Sequence, residues 1–419
     1  MIELSIIILV LNEAENIGLL IRQVRGLLER YGITYEIVVV DGGSRDRSVE
    51  IAKGEGARVI IQSKTGFANA ILEGFKFSKG EKILTLDCDF SHPPDVIPKM
   101  LEKIGEADIV VASRYVKGGS STMSFTRYFL SRALNLLLHH GLSLPINDIT
   151  SGFRIYKRKV VDSIKTKSKN FEILPEILIE AYSKGWNIIE MPFCYMPRRT
   201  GSSHLKIFKF ASGYLMVFLR LWKNRNSINY ADYDERGYNS RIFLQRSWHR
   251  KRYDIIMGFI DRKRPLADLG CGSSRIIQDL TEAVAVDISL DKLRYIRKSN
   301  KYLVNARLGA LPFKDGKFYC VICSEVIEHT REDRIFDEMK RILAPQGILV
   351  VGTPDYGGWR WRVIEFFYGL LQPGGYRDQH ISRYSNLSLK NILTSHGFSI
   401  LEQKYIYGAE LIIKAIKNA

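Results

Sequence analysis

A chain of 419 residues with 46% hydrophobic and 26% charged residues is too long for a single core and too apolar for disorder, so two or three folded domains are expected. Lys and Arg total 62 against 45 Asp and Glu, and the net charge of +17 favours anionic partners such as phosphorylated substrates, nucleic acid or an acidic membrane surface. Cys88, Cys194, Cys271, Cys320 and Cys323 are odd in number and scattered, and no cleavable signal precedes the opening apolar run, which argues against a disulfide framework and points to a reducing cytoplasm.

In chain order, Leu4 to Leu11, Glu36 to Val40 and Lys82 to Leu86 are nearly unbroken apolar runs, the pattern of parallel strands buried on both faces. Helical periodicity over Asn16 to Tyr31 and Ser48 to Glu55 separates them, so a parallel α/β sheet is expected. Each run ends in ligands. Asn12-Glu13 follows the first, Asp41-Gly42-Gly43 the second and Asp87-Cys88-Asp89 the third, and open α/β sheets bind their ligands at such carboxyl ends. Paired carboxylate oxygens at Asp87 and Asp89 suit Mg²⁺ or Mn²⁺ on a diphosphate leaving group. On their own, two acids in a loop are more often solvated residues.

Further along, Ser124 to His139 reads as a helix that carries Arg127 and Ser131 one turn apart. Phe210 to Leu219, bracketed by Lys209 and Arg220, is too short to span a bilayer. With Lys206, Lys223 and Arg225 it reads either as an amphipathic helix for a membrane surface or as a packing helix with solvated ends. Periodicity fails between Asn224 and Arg252, where a domain boundary is placed. A second α/β series then runs through Leu266 to Leu269, Ala283 to Val286, Tyr319 to Cys323 and Ile348 to Val351. The CxxC of Cys320 and Cys323 sits in an apolar strand without a second pair, which favours core cysteines over zinc. Small residues in Asp268-Leu269-Gly270-Cys271-Gly272 mark a strand-to-helix turn open to a ligand, and Asp287 ends the next strand at the spacing of a ribose-binding acid.

Residues 1 to about 225 resemble family 2 inverting glycosyltransferases of the GT-A fold, and most of all polyprenyl-phosphate hexose synthases of the dolichyl-phosphate mannose synthase type. The residues that carry the likeness are Asn12-Glu13, Asp41, Lys64 to Ala70, Asp87 to Pro94 with its Ser-His-Pro-Pro, Ser113-Arg114-Tyr115 and Asp148 to Arg154. The chain departs from that pattern at Gly42, where a second acid is common, and at Leu9-Val10-Leu11. The resemblance implies that Asn12, Glu13, Asp41, Gly66 and Ala68 bind the nucleotide sugar, GDP-mannose or UDP-glucose, and that Asp87 and Asp89 hold the metal. It implies that Arg114, Arg127 and Ser131 hold the acceptor phosphate and that Arg198 and Arg199 close over the diphosphate, with Asp87, Asp89 and Arg114 as the catalytic set. A phosphate monoester is already ionised at neutral pH, so such an acceptor needs cations rather than a general base. His92 is expected to shape its turn.

Residues 230 to 419 resemble class I S-adenosylmethionine-dependent methyltransferases of the small-molecule type, a Rossmann-like fold. The blocks are Asp268 to Gly272, Val286 to Ser289, Leu311 to Phe313, Ser324 to His329 and Leu343 to Gly347. The pattern is broken at Ser274, Gly309 and Tyr319. The resemblance implies that Asp268, Gly270, Cys271 and Gly272 cradle the methionine end of S-adenosylmethionine, Asp287 the ribose, and Ala310 and Leu311 the adenine. His329 and His380 are candidate bases, though packing roles suit them as well.

The expectation is therefore a bifunctional enzyme: residues 1–225 transfer mannose or glucose to a polyprenyl phosphate, 226–252 form a linker and lead-in, and 253–419 methylate a glycan or related small molecule. It would lie on the inner membrane face as a peripheral protein. One alternative keeps the transferase but gives it a glycan hydroxyl as acceptor, beside an inactive or unrelated methyltransferase half. Another is a nucleic-acid methyltransferase with an amino-terminal binding module. Basic residues spread over both halves, and no Asn-Pro-Pro-Tyr-like base-flipping signal is present, so no nucleic-acid partner is expected.

Overall fold

Two sheets organise the chain. The computed structural model describes residues 2–199, 207–225, 227–300, 302–331, 334–371 and 380–418. They divide into two compact units, one running to Tyr182 and including Trp186–Trp222, the other made of Ser183–Gly185 and the chain from Lys223 onward.

In the first unit the main sheet comprises β1 (Leu4–Val10), β2 (Tyr35–Asp41), β3 (Arg58–Ile61), β4 (Lys82–Asp87), β5 (Ile109–Ser113), β6 (Arg154–Lys157) and β7 (Ile188–Pro192), and a small separate sheet pairs Ser120–Ser121 with Cys194–Tyr195. The order in the main sheet is β3-β2-β1-β4-β6-β5-β7. Alternate residues of β1 enter different cores: Ile7 packs with Val38 and Ile83 on one face, Ile6 and Ile8 with Val39 and Leu84 on the other. That double burial is why the strand sequences read as continuous apolar runs. The sheet is not wholly parallel as expected. Strand β6 runs antiparallel to both β4 and β5; it is only four residues long, and its Arg154 and Tyr156 are buried, so the segment has no apolar-run signature. Helix α1 (Ala14–Arg30) follows the expected periodicity, α2 (Phe67–Phe77) is a helix the sequence reading did not anticipate, and α3 (Phe125–Gly141) and α4 (Ile207–Arg225) cover the expected helical stretches.

The second unit opens with α5 (Tyr233–Tyr238) and α6 (Phe243–Phe259). Residues 226–252, expected as linker and lead-in, therefore carry one whole helix and more than half of another. Polar and aromatic contacts build them: the Arg225 guanidinium pairs with Asp232 at 2.6 Å with both side chains buried, and Tyr238 packs edge-on against Tyr253. Such a stretch shows no amphipathic repeat.

The second sheet has β8 (Leu266–Leu269), β9 (Val284–Asp287), β10 (Leu303–Asn305), β11 (Phe318–Ser324), β12 (Leu343–Pro354), β13 (Phe398–Ile406) and β14 (Glu410–Lys417), in the order β10-β9-β8-β11-β12-β14-β13. Five strands are parallel, and β14 inserts antiparallel between β12 and β13. Strand order reverses direction at β8, so the crevice beyond β8 and β11 is the ligand position of a doubly wound sheet. Cys320 and Cys323 belong to the cores on opposite faces of β11, so they do not converge on a common ion.

Candidate active sites

Register sets up the first site. Val10 pairs with Asp41 and Leu9 with Asp87, so three strands end together at one edge. The chain turns sharply after β1 at Asn12, with φ of 56°. The Asn12 amide donates to Ser44 Oγ at 2.8 Å, and its side-chain oxygen accepts from the Arg45 amide at 2.8 Å. The Glu13 amide is held by Ser48 Oγ at 2.8 Å. Asp41 is buried and accepts from the amides of Gly43 and Ser44 at 2.9 and 3.0 Å, so its carboxylate braces the loop that follows it. Gly66 adopts φ of 134°, a backbone that residues with a Cβ rarely enter; α2 starts there and buries Ala68.

At the end of β4, the Asp87 amide donates to His92 Nδ1 at 3.2 Å, which leaves the proton on Nε2, 3.7 Å from Asp87 Oδ2. The imidazole stacks on Phe153 at 4.9 Å, so His92 both shapes the turn and faces the acid. Burial, opposed by His92 and reinforced by the Asp89 charge, pushes the Asp87 carboxyl above its ordinary range. Asp89 lies deeper. Its Oδ1 accepts from the Ser91 amide at 3.0 Å and hydroxyl at 2.6 Å, and its Oδ2 meets Arg198 at 2.9 Å. Arg198 also reaches Glu13 at 3.3 Å. The Arg199 amide donates to the Asp89 carbonyl at 3.1 Å. The segment from Thr200 to His204, expected beside these arginines, lies outside the described residues.

Asp87 opens onto a cavity of about 360 Å³ whose walls include Arg114, Arg127, Ser131 and apolar side chains, among them several from α3 and α4. Arg114 donates through two nitrogens to the Asp148 carboxylate at 2.7 and 2.6 Å and to Thr150 at 3.0 Å. Burial opposes its charge, but Asp148 more than offsets that and raises its pKa. Ser131 accepts from the Tyr115 hydroxyl at 2.8 Å. The structure thus gathers Asp87, Arg114, Arg127 and Ser131 around one cavity, with Asp89 and Arg198 behind them. Asn12, Glu13, Asp41, Gly66 and Ala68 do not line it. Arg154, at the end of the Asp148 block, is fully buried and donates to the carbonyls of Leu174 and Ile149, which makes it a structural tie.

The second site sits at the end of β8. Gly270 and Gly272 have φ of 66° and 56°, and a Cβ on Gly270 would lie 2.5 Å from Val326; glycine is required there. Asp287 accepts from the Gly272 amide at 2.8 Å and from the Ser289 amide at 2.7 Å. Burial, with the nearby Asp287 and Asp234 charges, pushes the Asp268 carboxyl up to about 8. Asp268, Gly270, Cys271 and Gly272 share a cavity of about 90 Å³. Ala310 and Leu311 do not line it, and the Leu311 amide donates instead to Glu338 at 2.7 Å.

A family profile described as glycosyl transferase family 2 matches residues 5–165, and one described as methyltransferase domain matches residues 267–351. The chain joins a family 2 glycosyltransferase domain to a methyltransferase domain. Among the relatives of this fused protein, a dolichol-phosphate mannosyltransferase of Pyrococcus furiosus is 37% identical over 242 residues, covering 54% of this chain and 66% of that protein. An undecaprenyl-phosphate 4-deoxy-4-formamido-L-arabinose transferase of Pseudomonas paraeruginosa is 29% identical over 206 residues, covering 48% and 59%. The chain thus spans less than two thirds of the length of these curated relatives. A glucosyl-3-phosphoglycerate synthase from Mycobacterium tuberculosis, solved with Mn²⁺, UDP and glucosyl-3-phosphoglycerate, is similar at a TM-score of 0.43 and 19% identity, over 53% of this chain and 79% of that one.

The glycosyltransferase domain fits a divalent cation by its donor set, two hard carboxylates that flank Cys88. In the methyltransferase domain the glycine turn admits close backbone approach and an acid ends β9, whereas Ala310 and Leu311, expected at the adenine, stand apart from that cavity. Sequence reasoning missed Asp234. Its carboxylate accepts from the Ser273 amide at 3.0 Å and lies 3.4 Å from Lys292, so α5 reaches the glycine turn, and no motif in the polar stretch marked it.

Proposed function

We propose that the glycosyltransferase domain moves a hexosyl group, mannose or glucose, from a nucleotide-diphosphate sugar to a polyprenyl phosphate with inversion, and that the methyltransferase domain methylates a glycan or related small molecule with S-adenosylmethionine. The observation that carries the first half is the apolar cavity starting at Asp87, Arg114 and Arg127 and walled by α3 and α4. Both helices leave apolar side chains in the open: Phe129 is 62% and Leu215 56% exposed. A polyprenyl tail matches apolar walls, and its phosphate matches the arginines at the acidic end. The names of the two curated relatives support a lipid-phosphate acceptor.

Asp87 and Asp89 would hold Mg²⁺ or Mn²⁺, which supplies charge neutralisation to the departing diphosphate. Arg198, already bridging Glu13 and Asp89, places a further cation beside it. The acceptor's phosphate oxygen attacks the anomeric carbon as the bond from that carbon to the diphosphate oxygen breaks, and no side chain need remove a proton. Arg127 orients the acceptor, and Arg114 keeps positive charge fixed at the cavity wall through its Asp148 pair. In the other domain Asp268, Gly270, Gly272 and Asp287 would hold S-adenosylmethionine, whose sulfonium supplies an activated methyl group. The work of the chain there is alignment.

Among the described residues no helix is long and apolar enough to cross a membrane. We place the protein peripherally on a membrane surface, seated through α3 and α4. Basic anchoring by α4 is limited, since Arg220 pairs with Glu176 at 2.5 Å and Arg225 with Asp232; Lys206 lies outside the described residues. The test is turnover: the full chain is incubated with a short-chain polyprenyl phosphate, GDP-mannose or UDP-glucose, and Mg²⁺ or Mn²⁺, and products are read by mass spectrometry. A polyprenyl-phosphate hexose is the expected product. Absence of transfer from every nucleotide sugar tried overturns the reading.

A further inference from the structure

Beyond β11 the chain makes a short 3-10 turn at Ile327–His329, which puts Glu328 and His329 next to each other. A later segment is stitched to that turn. The amides of Ile381 and Ser382 donate to the Glu328 carbonyl at 2.8 and 3.0 Å, and the Ser382 hydroxyl donates to the Thr330 carbonyl at 2.6 Å. His380 arrives with this segment, its ring centroid 5.0 Å from that of His329. A carboxylate oxygen of Glu328 and one nitrogen from each imidazole all lie within 4.8 Å of one another.

Two further features point to a ligand. Glu328 is fully buried; the Thr353 hydroxyl donates to its Oε2 at 3.1 Å, whereas its Oε1 has no hydrogen-bond partner among the described residues. A buried, ionised carboxylate oxygen with no donor is unfavourable, and a bound cation would complete it. The second feature is the tautomer of His380. The Tyr356 hydroxyl donates to Glu365 at 2.9 Å, so its oxygen is left to accept from His380 Nδ1 at 2.6 Å. With the proton on Nδ1, the lone pair of the ring is on Nε2, the form in which histidine binds metals.

We propose that Glu328, His329 and His380 form a binding site for one divalent transition-metal ion of the Zn²⁺, Co²⁺ or Fe²⁺ class. One carboxylate and two imidazoles suit such ions, whereas Mg²⁺ and Ca²⁺ prefer all-oxygen sets. Three protein ligands leave room for an exogenous oxygen ligand, either water or an acceptor hydroxyl. The site follows the strand whose end, Ser324 and Glu325, lines the cavity of the glycine turn, so the ion would present that oxygen on the methyl-transfer side of the domain. It is chemically distinct from the carboxylate pair Asp87 and Asp89 and does not depend on the acceptor assigned to either domain.

Binding of Co²⁺ alone to the full chain, followed by visible absorption and by metal content after dialysis, tests the site. Nitrogen ligation in a low-symmetry site gives d–d bands that carboxylates and water give only weakly. Wild type is expected to show these bands, lost on addition of Zn²⁺, and the Asp87→Ala/Asp89→Ala double variant is expected to retain them. His329→Ala and Glu328→Gln are expected to lose them, and Tyr356→Phe, which keeps all three ligands but frees the His380 tautomer, should bind about 10–100-fold more weakly. Zn²⁺ should raise the thermal midpoint of wild type and leave that of His329→Ala unmoved. His329 is only half-buried, so this variant serves if Glu328→Gln fails to fold. A folded His329→Ala chain with the wild-type Co²⁺ spectrum, or a wild type that shows no bands, overturns the proposal.

Discussion

Arg198 stands between Glu13 and Asp89, 3.3 Å from the first carboxylate and 2.9 Å from the second. It joins the loop after β1, the acidic turn after β4 and the segment that follows β7, three pieces far apart in sequence. An arginine placed this way balances two acids and is positioned beside any diphosphate bound over them.

Asp89 is accordingly expected to matter twice, as a ligand and as the anchor for Arg198. Asp89→Ala should lower kcat for sugar transfer by about 10²–10³, the range for losing one preorganised electrostatic contact at a developing charge. Arg198→Ala should fall less, because Asp89 keeps its two hydrogen bonds from Ser91. Steady-state turnover with saturating nucleotide sugar measures both, and equal activity of Asp89→Ala and wild type would contradict the assignment.

Arg127 lines the same cavity as Asp87, and the one-turn spacing to Ser131 orients both toward it. A charge-assisted hydrogen bond to phosphate is worth about 1.5–3 kcal/mol, so Arg127→Ala should raise KM for the polyprenyl phosphate about 10- to 150-fold. KM for the nucleotide sugar should hardly move, a split that simple misfolding would not give.

Much of the fold could be read from the chain because burial leaves a mark. Strands β1, β2 and β4 are packed on both faces and read as apolar runs, and the glycine turn after β8 needs glycine for its backbone. What could not be read is held by pairs distant in sequence. The Arg198 contact with Asp89 has no local signature. The same holds for Asp234 over the glycine turn, and for Arg114, whose guanidinium is committed to Asp148 in a way its motif alone did not reveal. Strand β6 escaped notice because a buried arginine and tyrosine replaced the aliphatic residues that mark its neighbours.

Exposed apolar side chains on α3 and α4 set the expectation for membranes. Phe129 and Leu215 are each expected to contribute about 1.5–3 kcal/mol if they enter the acyl boundary. A Phe129→Glu/Leu215→Glu variant should therefore lose at least about tenfold in affinity for anionic lipid vesicles by co-sedimentation. Its circular dichroism should match wild type, since both positions are solvent-facing. Unchanged vesicle binding would remove α3 and α4 from the docking surface.

Asp268 carries a pH dependence whose sign is fixed. In the folded domain its carboxyl is pushed up to about 8 by burial and by the Asp287 and Asp234 charges, from an ordinary value of 3.8. Between those two values the folded chain holds a proton that the unfolded chain has released, so stability falls as pH rises across the window and levels off above it. The contribution is complete below about pH 4 and is lost by the time pH passes about 8. Chemical denaturation of the full chain at intervals from pH 5 to 9 should show the domain containing Asp268 weakening steadily with rising pH. Asp268→Asn keeps the shape and removes the titration, so its slope over the same interval should be shallower than that of wild type. A variant with an undiminished slope would mean that another buried acid sets the response.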